Sequence, residues 1–189
     1  MGHSRTAKAR THRRIVNLAA KRFREHGLEG ISIADLMGEA GVAVGGFYKH
    51  FDSRDDLVME ALAASIFEMD DSPLTKQPTL EKSIGAYLSK THRDNLADSC
   101  PVAALVGDVS RSSDNVRKLY TERVERSFAG IAAQVPEADR REKRAKAILI
   151  YSACVGAIGL ARAVSDGNLS DQILRTVAKQ LSGMFRENH

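Results

Sequence analysis

The chain has 189 residues, of which 43% are hydrophobic and 28% charged, and its net charge is +4, as in an ordinary globular protein of one or two small domains. Two cysteines, Cys100 and Cys154, are too few for a disulfide framework or a metal-ligand cluster, so neither is predicted. The longest apolar run, residues 147–161, is shorter than the roughly 20 residues of a membrane span, and no apolar segment follows the basic N-terminus, so we predict a cytoplasmic protein.

The positive charge is concentrated near the start of the chain. Residues 1–51 contain nine Lys or Arg and four Asp or Glu, whereas the remainder is close to neutral. A basic segment on a near-neutral body favours a polyanionic partner, although a solvated charged surface would have the same composition.

Apolar residues recur at helical spacing along the whole chain, and no segment alternates as a strand does. We therefore predict an all-α fold of about nine helices. The predicted helices cover about residues 9–26, 32–40, 44–50, 53–69, 79–95, 102–110, 115–134, 140–165 and 170–187. A linker is predicted over residues 70–78.

Four residues mark the ends of the first helices. Gly27 and Gly41 are suited to the positive φ that ends a helix or forms a tight turn. Ser32 and Ser53 stand where an N-cap is expected, each followed by an acid within the first turn.

The second and third predicted helices and the turn between them form a helix-turn-helix pattern. Val42 and Phe47 are apolar, as the small shared core of two such helices requires. Residues 44–50 read VGGFYKH and include no acid, so this helix would present an unobstructed surface to a DNA groove.

Residues 40–51, AGVAVGGFYKHF, resemble the signature of the TetR/AcrR family, which commonly reads A-G-V-S-x-G-x-x-Y-x-H-F. The flanking sequence is similar as well, because Ala19, Phe23 and Gly27 match the end of the family's first helix. The resemblance is specific over about residues 10–62 and weak downstream.

The family resemblance implies a transcriptional regulator of two all-α domains. Residues 8–54 would form the helix-turn-helix DNA-binding domain, and residues 55–189 a helical domain for ligand binding and dimerisation. Two positions depart from the family pattern. Ala43 replaces the usual Ser or Thr that caps the recognition helix and touches a phosphate, and Met37 replaces a smaller residue where the two helices cross.

The resemblance also implies which side chains meet DNA. Those expected at base edges in the major groove are Val44, Gly45 and Gly46. Those expected at phosphates, through hydrogen bonds or charge, are Ser32, Tyr48, Lys49, His50 and Arg54. The tyrosine and histidine could instead be half-buried core residues, and the lysine and arginine plain solvated charges.

The second half of the chain offers candidates for a ligand cavity and a dimer interface. Candidates to line an apolar cavity with a few hydroxyls are Phe67, Tyr87, Leu88, Leu105, Val109, Tyr120, Phe128 and Tyr151. Candidates for the dimer interface, where the family's last two helices form a four-helix bundle with their twins, are Ser152, Gly156, Gly159, Ala163, Ile173, Val177 and Leu181. Ordinary core packing is the alternative for each.

We therefore expect a homodimeric repressor that binds a palindromic operator in double-stranded DNA and releases it when an apolar or aromatic effector binds. No catalytic constellation, metal site or cofactor motif is predicted. An enzyme and an architectural DNA-binding protein without a ligand remain as alternatives. Cys100 is predicted to be a buried thiol rather than a redox sensor, because no Lys or Arg lies close in sequence to lower its pKa.

Overall fold

The computed structural model describes the backbone of residues 2–70, 77–136 and 139–184, and the side chains of residues 5–66, 77–136 and 139–184. Every regular element within these ranges is a helix, which confirms the predicted all-α class. The α-helices are α1 (Gly2–His26), α2 (Ile33–Glu39), α3 (Arg54–Asp70), α4 (Leu80–Tyr87), α5 (Lys90–Asp94), α6 (Pro101–Val109), α7 (Asp114–Ala132), α8 (Arg140–Ala163) and α9 (Gly167–Gly183), and a 3₁₀ helix covers Val44–Lys49.

The predicted caps of the first helices are confirmed. Gly27 and Gly41 have φ values of +79° and +65°. The Ser32 hydroxyl accepts a hydrogen bond from Asp35 N at 3.0 Å and so caps α2. Ser53 Oγ accepts one from the backbone N–H of Asp56 at 3.1 Å at the start of α3.

Two predicted helix boundaries are wrong. The first helix begins at Gly2 rather than near residue 9. The helix predicted over residues 79–95 is two helices, because Ser89 caps α5 by accepting a hydrogen bond from His92 N at 3.1 Å. Most of the predicted linker and residues 185–187 of the last predicted helix lie outside the described residues.

The first hydrophobic core joins the N-terminal helices to α6 and the start of α7. It extends along α3 as far as Ile66, so α3 packs mainly with the N-terminal segment. The buried side chains at its centre are Ile15, Ala19, Phe23, Leu36, Met37, Phe47, Leu57, Ala61, Leu62, Leu105, Val109 and Val116.

The second core lies between α4, the start of α6 and helices α7 to α9. Among the described residues, α8 is the single helix that is long and apolar enough to cross a membrane by length and composition. It packs against α7 and α9 and buries residues such as Ile150 and Ile158 within the second core, as a core helix does.

Polar contacts tie α1 and the turn after it to the C-terminal half. Arg24 is buried, and it donates through Nε to the carbonyl of Ala97 at 2.6 Å and through Nη1 to Ser65 Oγ at 2.7 Å. Asp108 in α6 accepts a hydrogen bond from the backbone N–H of Leu28 at 3.3 Å. The segment that ends at the recognition helix is therefore fixed to the loop before α6 and to α6 itself.

Candidate nucleic-acid interface and helical cavity

The 3₁₀ helix presents one side to solvent. Phe47 is buried and anchors the helix in the first core, whereas Val44 is 50% exposed and Tyr48 is 74% exposed. Gly45 and Lys49 are exposed as well. The alternative that Tyr48 is a half-buried core tyrosine is therefore wrong, and its hydroxyl is available to a partner.

Gly46 faces the protein rather than the exposed side of the recognition helix. A Cβ at this position would lie 3.3 Å from Val42 Cγ1 and 4.0 Å from the Cε of Met37. The glycine thus lets the 3₁₀ helix approach α2 closely. The buried Met37 side chain fills the space at the crossing and leaves little room for a Cβ. This position suits packing better than the base-edge contact predicted for Gly46.

The residues at the two helix starts differ in their capping. Ser32 is exposed, and its hydroxyl serves the α2 cap and donates to Asp35 Oδ2 at 2.6 Å. Ala43 has no side-chain hydrogen bond at the start of the 3₁₀ helix, as expected from its departure from the family pattern. The first turn of the recognition helix is therefore left with backbone donors alone.

Arg54 has an internal role in the structure. Its Nη2 donates to the carbonyl oxygens of Leu28 and Ile31, the second at 2.9 Å. Its guanidinium also lies 5.9 Å from the centre of the Phe23 ring. These contacts fix the turn after α1, so Arg54 positions the motif, and its contact with a phosphate stays a prediction.

The N-terminal part of α1 borders the recognition helix, which the sequence analysis missed. Lys8 and Thr11 line a cleft together with Tyr48, Lys49 and His50. The signal in the sequence is the excess of basic residues in the first 14 positions. The structure brings the basic start of α1 and the end of the recognition helix into one surface.

His50 lies at the edge of this cleft beside a second histidine. Burial, with the neighbouring charges of His12, Lys8 and Lys49, lowers the pKa of His50 below its ordinary value. His12 itself contacts Glu60, with 2.6 Å between Nε2 and Oε2, and its ring centre lies 5.9 Å from that of His50. The His50 ring is therefore neutral near pH 7 and retains one N–H donor.

A cavity of about 270 Å³ lies in the C-terminal half, between α4, α7 and α8. The residues that line it are Leu80, Ser83, Ile84, Tyr87, Arg123, Arg126, Ser127, Gly130, Ile131, Gln134, Ile150, Tyr151 and Cys154. Its surface is mainly apolar with a few hydroxyl and guanidinium groups, which is the usual composition of a ligand site.

The predicted cavity residues divide into two groups. Tyr87 and Tyr151 line the cavity, and Phe128 packs edge-on against Tyr151 with 5.9 Å between ring centres. Leu88, Leu105, Val109 and Tyr120 are not among the residues that line it. Leu88, Leu105 and Val109 are buried in the cores, Tyr120 donates its hydroxyl to the carbonyl of Val102 at 2.9 Å, and the side chain of Phe67 lies outside the described residues.

Two buried hydroxyls on α4 face the cavity. Tyr87 Oη and Ser83 Oγ have no hydrogen-bond partner within the described part of the chain. Burial raises the pKa of Tyr87 well above its ordinary value. The buried Cys100 thiol lies 3.7 Å from Tyr151 Oη, behind the cavity wall. The cavity therefore offers neutral donors to a bound molecule.

The residues predicted for the dimer interface fall into two groups, one exposed on α8 and one packed in the second core on α9. Ser152, Gly156 and Ala163 are exposed on the outer side of α8, and Gly159 is half-buried beside them. On α9, by contrast, the predicted residues pack on the protomer's own second core: Leu181 is buried, and Ile173 and Val177 are partly buried. Large apolar side chains that were not predicted accompany the exposed α8 positions, and they are Ile148, Leu149 and Leu160.

These features define a helix-turn-helix protein with a second helical domain that contains a cavity. Residues 15–61 match the family model of bacterial regulatory proteins of the tetR family. The HTH-type transcriptional repressor KstR2 of Rhodococcus jostii (strain RHA1) is 28% identical over 131 residues, which is 66% of this chain and 62% of that repressor. The chain thus matches less than two thirds of the length of this relative.

Solved structures share the fold over nearly the whole chain. A TetR-family regulator from Cytophaga hutchinsonii has a TM-score of 0.75 at 18% identity, over 94% of this chain and 96% of that protein. A regulator from Saccharomonospora viridis, solved in complex with choline, has a TM-score of 0.73 at 18% identity, over 92% and 96%. The chain therefore shares the fold of these proteins, and its match to the tetR family model covers residues 15–61.

Proposed function

We propose that this protein is a transcriptional regulator that binds a palindromic DNA operator as a homodimer and releases it when a small molecule occupies the C-terminal cavity. The observation that carries the proposal is the exposed side of the 3₁₀ helix beside the basic start of α1. A cytoplasmic location and repression of transcription are part of the same proposal, and the repressor that the chain resembles supports the second.

In the proposed complex the recognition helix enters the major groove. Val44 is the exposed apolar side chain there, and a valine methyl group suits contact with a thymine methyl. Tyr48, Lys49 and Lys8 would bind phosphates on either side of the groove. His50 would donate its one N–H to a phosphate, and the negative charge would then raise the pKa of His50.

The proposed dimer is supported by the outer side of α8. Leu149 is 52% exposed and Leu160 is 59% exposed, an unfavourable arrangement unless another surface covers them. Between them, a Cβ on Gly156 or Gly159 would meet no other atom of the described residues within 4 Å. These glycines are thus not needed for packing within one protomer, and they would let a second copy of α8 approach closely.

Ligand-dependent release is supported by the positions of α3 and α7. Helix α3 begins directly after the recognition helix, packs along α1 and also packs on α7, which lines the cavity. A ligand acts on DNA affinity only through different affinities for two conformations of the protein. A ligand that shifts α7 would tilt α3, change the spacing of the two recognition helices in the dimer and so weaken operator binding.

The test is selection of bound duplexes from a randomised double-stranded DNA library with the purified full-length protein. The expected result is enrichment of an inverted repeat whose half-sites are about one helical turn apart, centre to centre, or a multiple of that spacing. A variant with Tyr48→Phe, Lys49→Gln and Lys8→Gln is the matched control, and it should retain the fold but lose enrichment. Diffuse retention of all sequences would favour an architectural protein and contradict the proposal.

A further inference from the structure

The charged side chains that line the cavity between α4, α7 and α8 are all positive. Among the described residues that line it, Arg123 and Arg126 are cations, and none is Asp or Glu. They are three residues apart on α7, a spacing that places both guanidinium groups on the same side of the helix. An anionic ligand would therefore meet attraction from α7 and no acidic side chain on the lining.

The hydroxyls of α4 lie in the same cavity. Ser83 and Tyr87 are four residues apart, so their side chains lie on one side of α4. Tyr87 is 8% exposed, and both hydroxyl oxygens are buried without a hydrogen-bond partner within the described residues. Since buried hydroxyls in folded proteins are nearly always hydrogen-bonded, these two groups are best explained by a polar atom of a ligand.

The rest of the lining sets the size and character of that ligand. Leu80, Ile84, Ile131 and Ile150 contribute apolar surface. A volume of about 270 Å³ is slightly below the range of roughly 300–1,000 Å³ of ordinary ligand pockets, so it favours a small ligand. A short aliphatic chain or a single substituted ring would fill it.

We propose that the effector is a small amphipathic carboxylate of about this size. Its carboxylate lies between the guanidinium groups of Arg123 and Arg126 on one side and the hydroxyls of Tyr87 and Ser83 on the other, and its apolar body lies against the isoleucines. A guanidinium group has five N–H donors, so it can bind this carboxylate in addition to a protein partner. The inference rests on the proposed function and deepens it, because it names the chemical class of the releasing ligand.

Calorimetric titration of the full-length protein tests the ligand class with three probes of nearly equal size. Octanoate is the expected ligand, octanamide keeps the shape without the charge, and octylamine reverses the charge. Octanoate should bind at least about tenfold more tightly than octanamide, since charge-assisted hydrogen bonds are roughly twice as strong as neutral ones. Octylamine should bind most weakly. Equal or tighter binding of octanamide, or no heat from octanoate at millimolar concentration, would overturn the proposal.

Variants with matched controls test the residues. Arg126→Gln and Tyr87→Phe should each weaken octanoate binding about tenfold, while Arg117→Gln on the same helix and Tyr120→Phe, both outside the cavity lining, should leave it unchanged. Arg126 is exposed and Tyr87→Phe keeps the ring, so both variants are expected to fold. Octanoate binding that is the same in the cavity variants as in the controls would contradict the assignment.

The ligand class and the regulatory role can fail separately. Octanoate that binds with the expected selectivity but does not release the selected operator would support the carboxylate site and contradict ligand-dependent release. Neutral ligands that bind and release the operator better than octanoate would leave the proposed function intact and overturn the carboxylate site.

Discussion

His92 Nε2 accepts a hydrogen bond from the backbone N–H of Cys100 at 3.0 Å. An imidazole nitrogen that accepts carries no proton, so the proton is on Nδ1, which donates to the carbonyl oxygen of Tyr87 at 2.6 Å. The neutral ring thus joins the C-terminal end of α4 to the first turn of α6, directly behind the cavity. Burial lowers the pKa of His92 to about 4.

This depressed pKa predicts a loss of stability in mild acid. The unfolded chain takes up the His92 proton near the ordinary pKa of about 6.5, and the folded chain does so only near 4. The stabilisation is therefore complete above pH 6.5 and is lost as the pH falls from there to about 4, with a total of roughly 3 kcal/mol. Chemical denaturation at a series of pH values measures it.

His92→Gln is the variant for this measurement, because its amide oxygen keeps an acceptor for Cys100 N but does not ionise. It should flatten the pH dependence between pH 6.5 and 4.5, whereas the same change at the exposed His26 should not. An unchanged slope in His92→Gln would show that other groups cause the acid sensitivity.

Alanine substitutions at Gly30 and Gly41 should destabilise the protein for different reasons, the first by steric overlap and the second by backbone strain. A Cβ on Gly30 would overlap the backbone carbonyl of His26, whereas one on Gly41 would meet no atom of the described part of the chain within 4 Å. Gly30→Ala should therefore destabilise the protein by about 3 kcal/mol, and Gly41→Ala, at φ +65°, by about 1 kcal/mol. Denaturant midpoints measure both, with Gly38→Ala in α2 expected to be neutral or stabilising. Equal losses at Gly30 and Gly41 would contradict the steric argument.

Val44 and Tyr48 should affect DNA binding in different ways. Tyr48→Phe removes a phosphate donor and should weaken all operator sequences alike, by about five- to tenfold. Val44→Ala should change the preference at one base pair in each half-site. Competition assays with single-base operator variants distinguish the two effects. If Val44→Ala leaves sequence preference untouched, the recognition helix is placed wrongly.

The salt dependence of operator binding follows from the same surface. About 6–10 phosphate contacts per dimer predict a slope of the log–log plot of affinity against salt of roughly −5 to −9. Lys49→Gln should reduce this slope by about two, one contact from each protomer. Filter-binding titrations over a range of salt concentrations provide the measurement, and a slope near zero would argue against phosphate contacts by this surface.

Leu149 and Val106 form a matched pair for the dimer interface. They are 52% and 50% exposed, the first on the outer side of α8 and the second on α6. Leu149→Arg should convert the protein to a monomer at micromolar concentration, because a buried unpaired charge opposes association. Val106→Arg should leave the dimer intact. Sedimentation equilibrium distinguishes these states, and a wild-type protein that sediments as a monomer would contradict the proposed dimer.

The sequence alone determined the caps of α2 and α3 and the helix-turn-helix motif, because these depend on neighbours in the chain. The cap at Ser32 joins residues three positions apart, and the positive φ of Gly41 belongs to one residue. The break between α4 and α5 was missed although Ser89 is an ordinary N-cap residue, since the apolar spacing continues through it.

The tertiary structure decided what lies far apart in sequence. Arg24 and the Ala97 carbonyl are 73 positions apart, and the internal role of Arg54 depends on a turn more than 20 residues earlier. A charged side chain has the same local sequence whether it meets DNA or a buried carbonyl. Its partner is therefore set by how the helices pack, and the sequence analysis could only assign Arg54 to DNA by resemblance.

Helix α8 is the clearest example of a feature that is decided partly by sequence and partly by tertiary packing. Its central residues are apolar on nearly every side, so periodicity does not tell which face is inside. Packing against α7 and α9 buries Ile150 and Ile158 and leaves Leu149 and Leu160 in solvent. The sequence determined that this segment is an apolar helix, and only the arrangement of its neighbours decided which apolar side chains remain exposed.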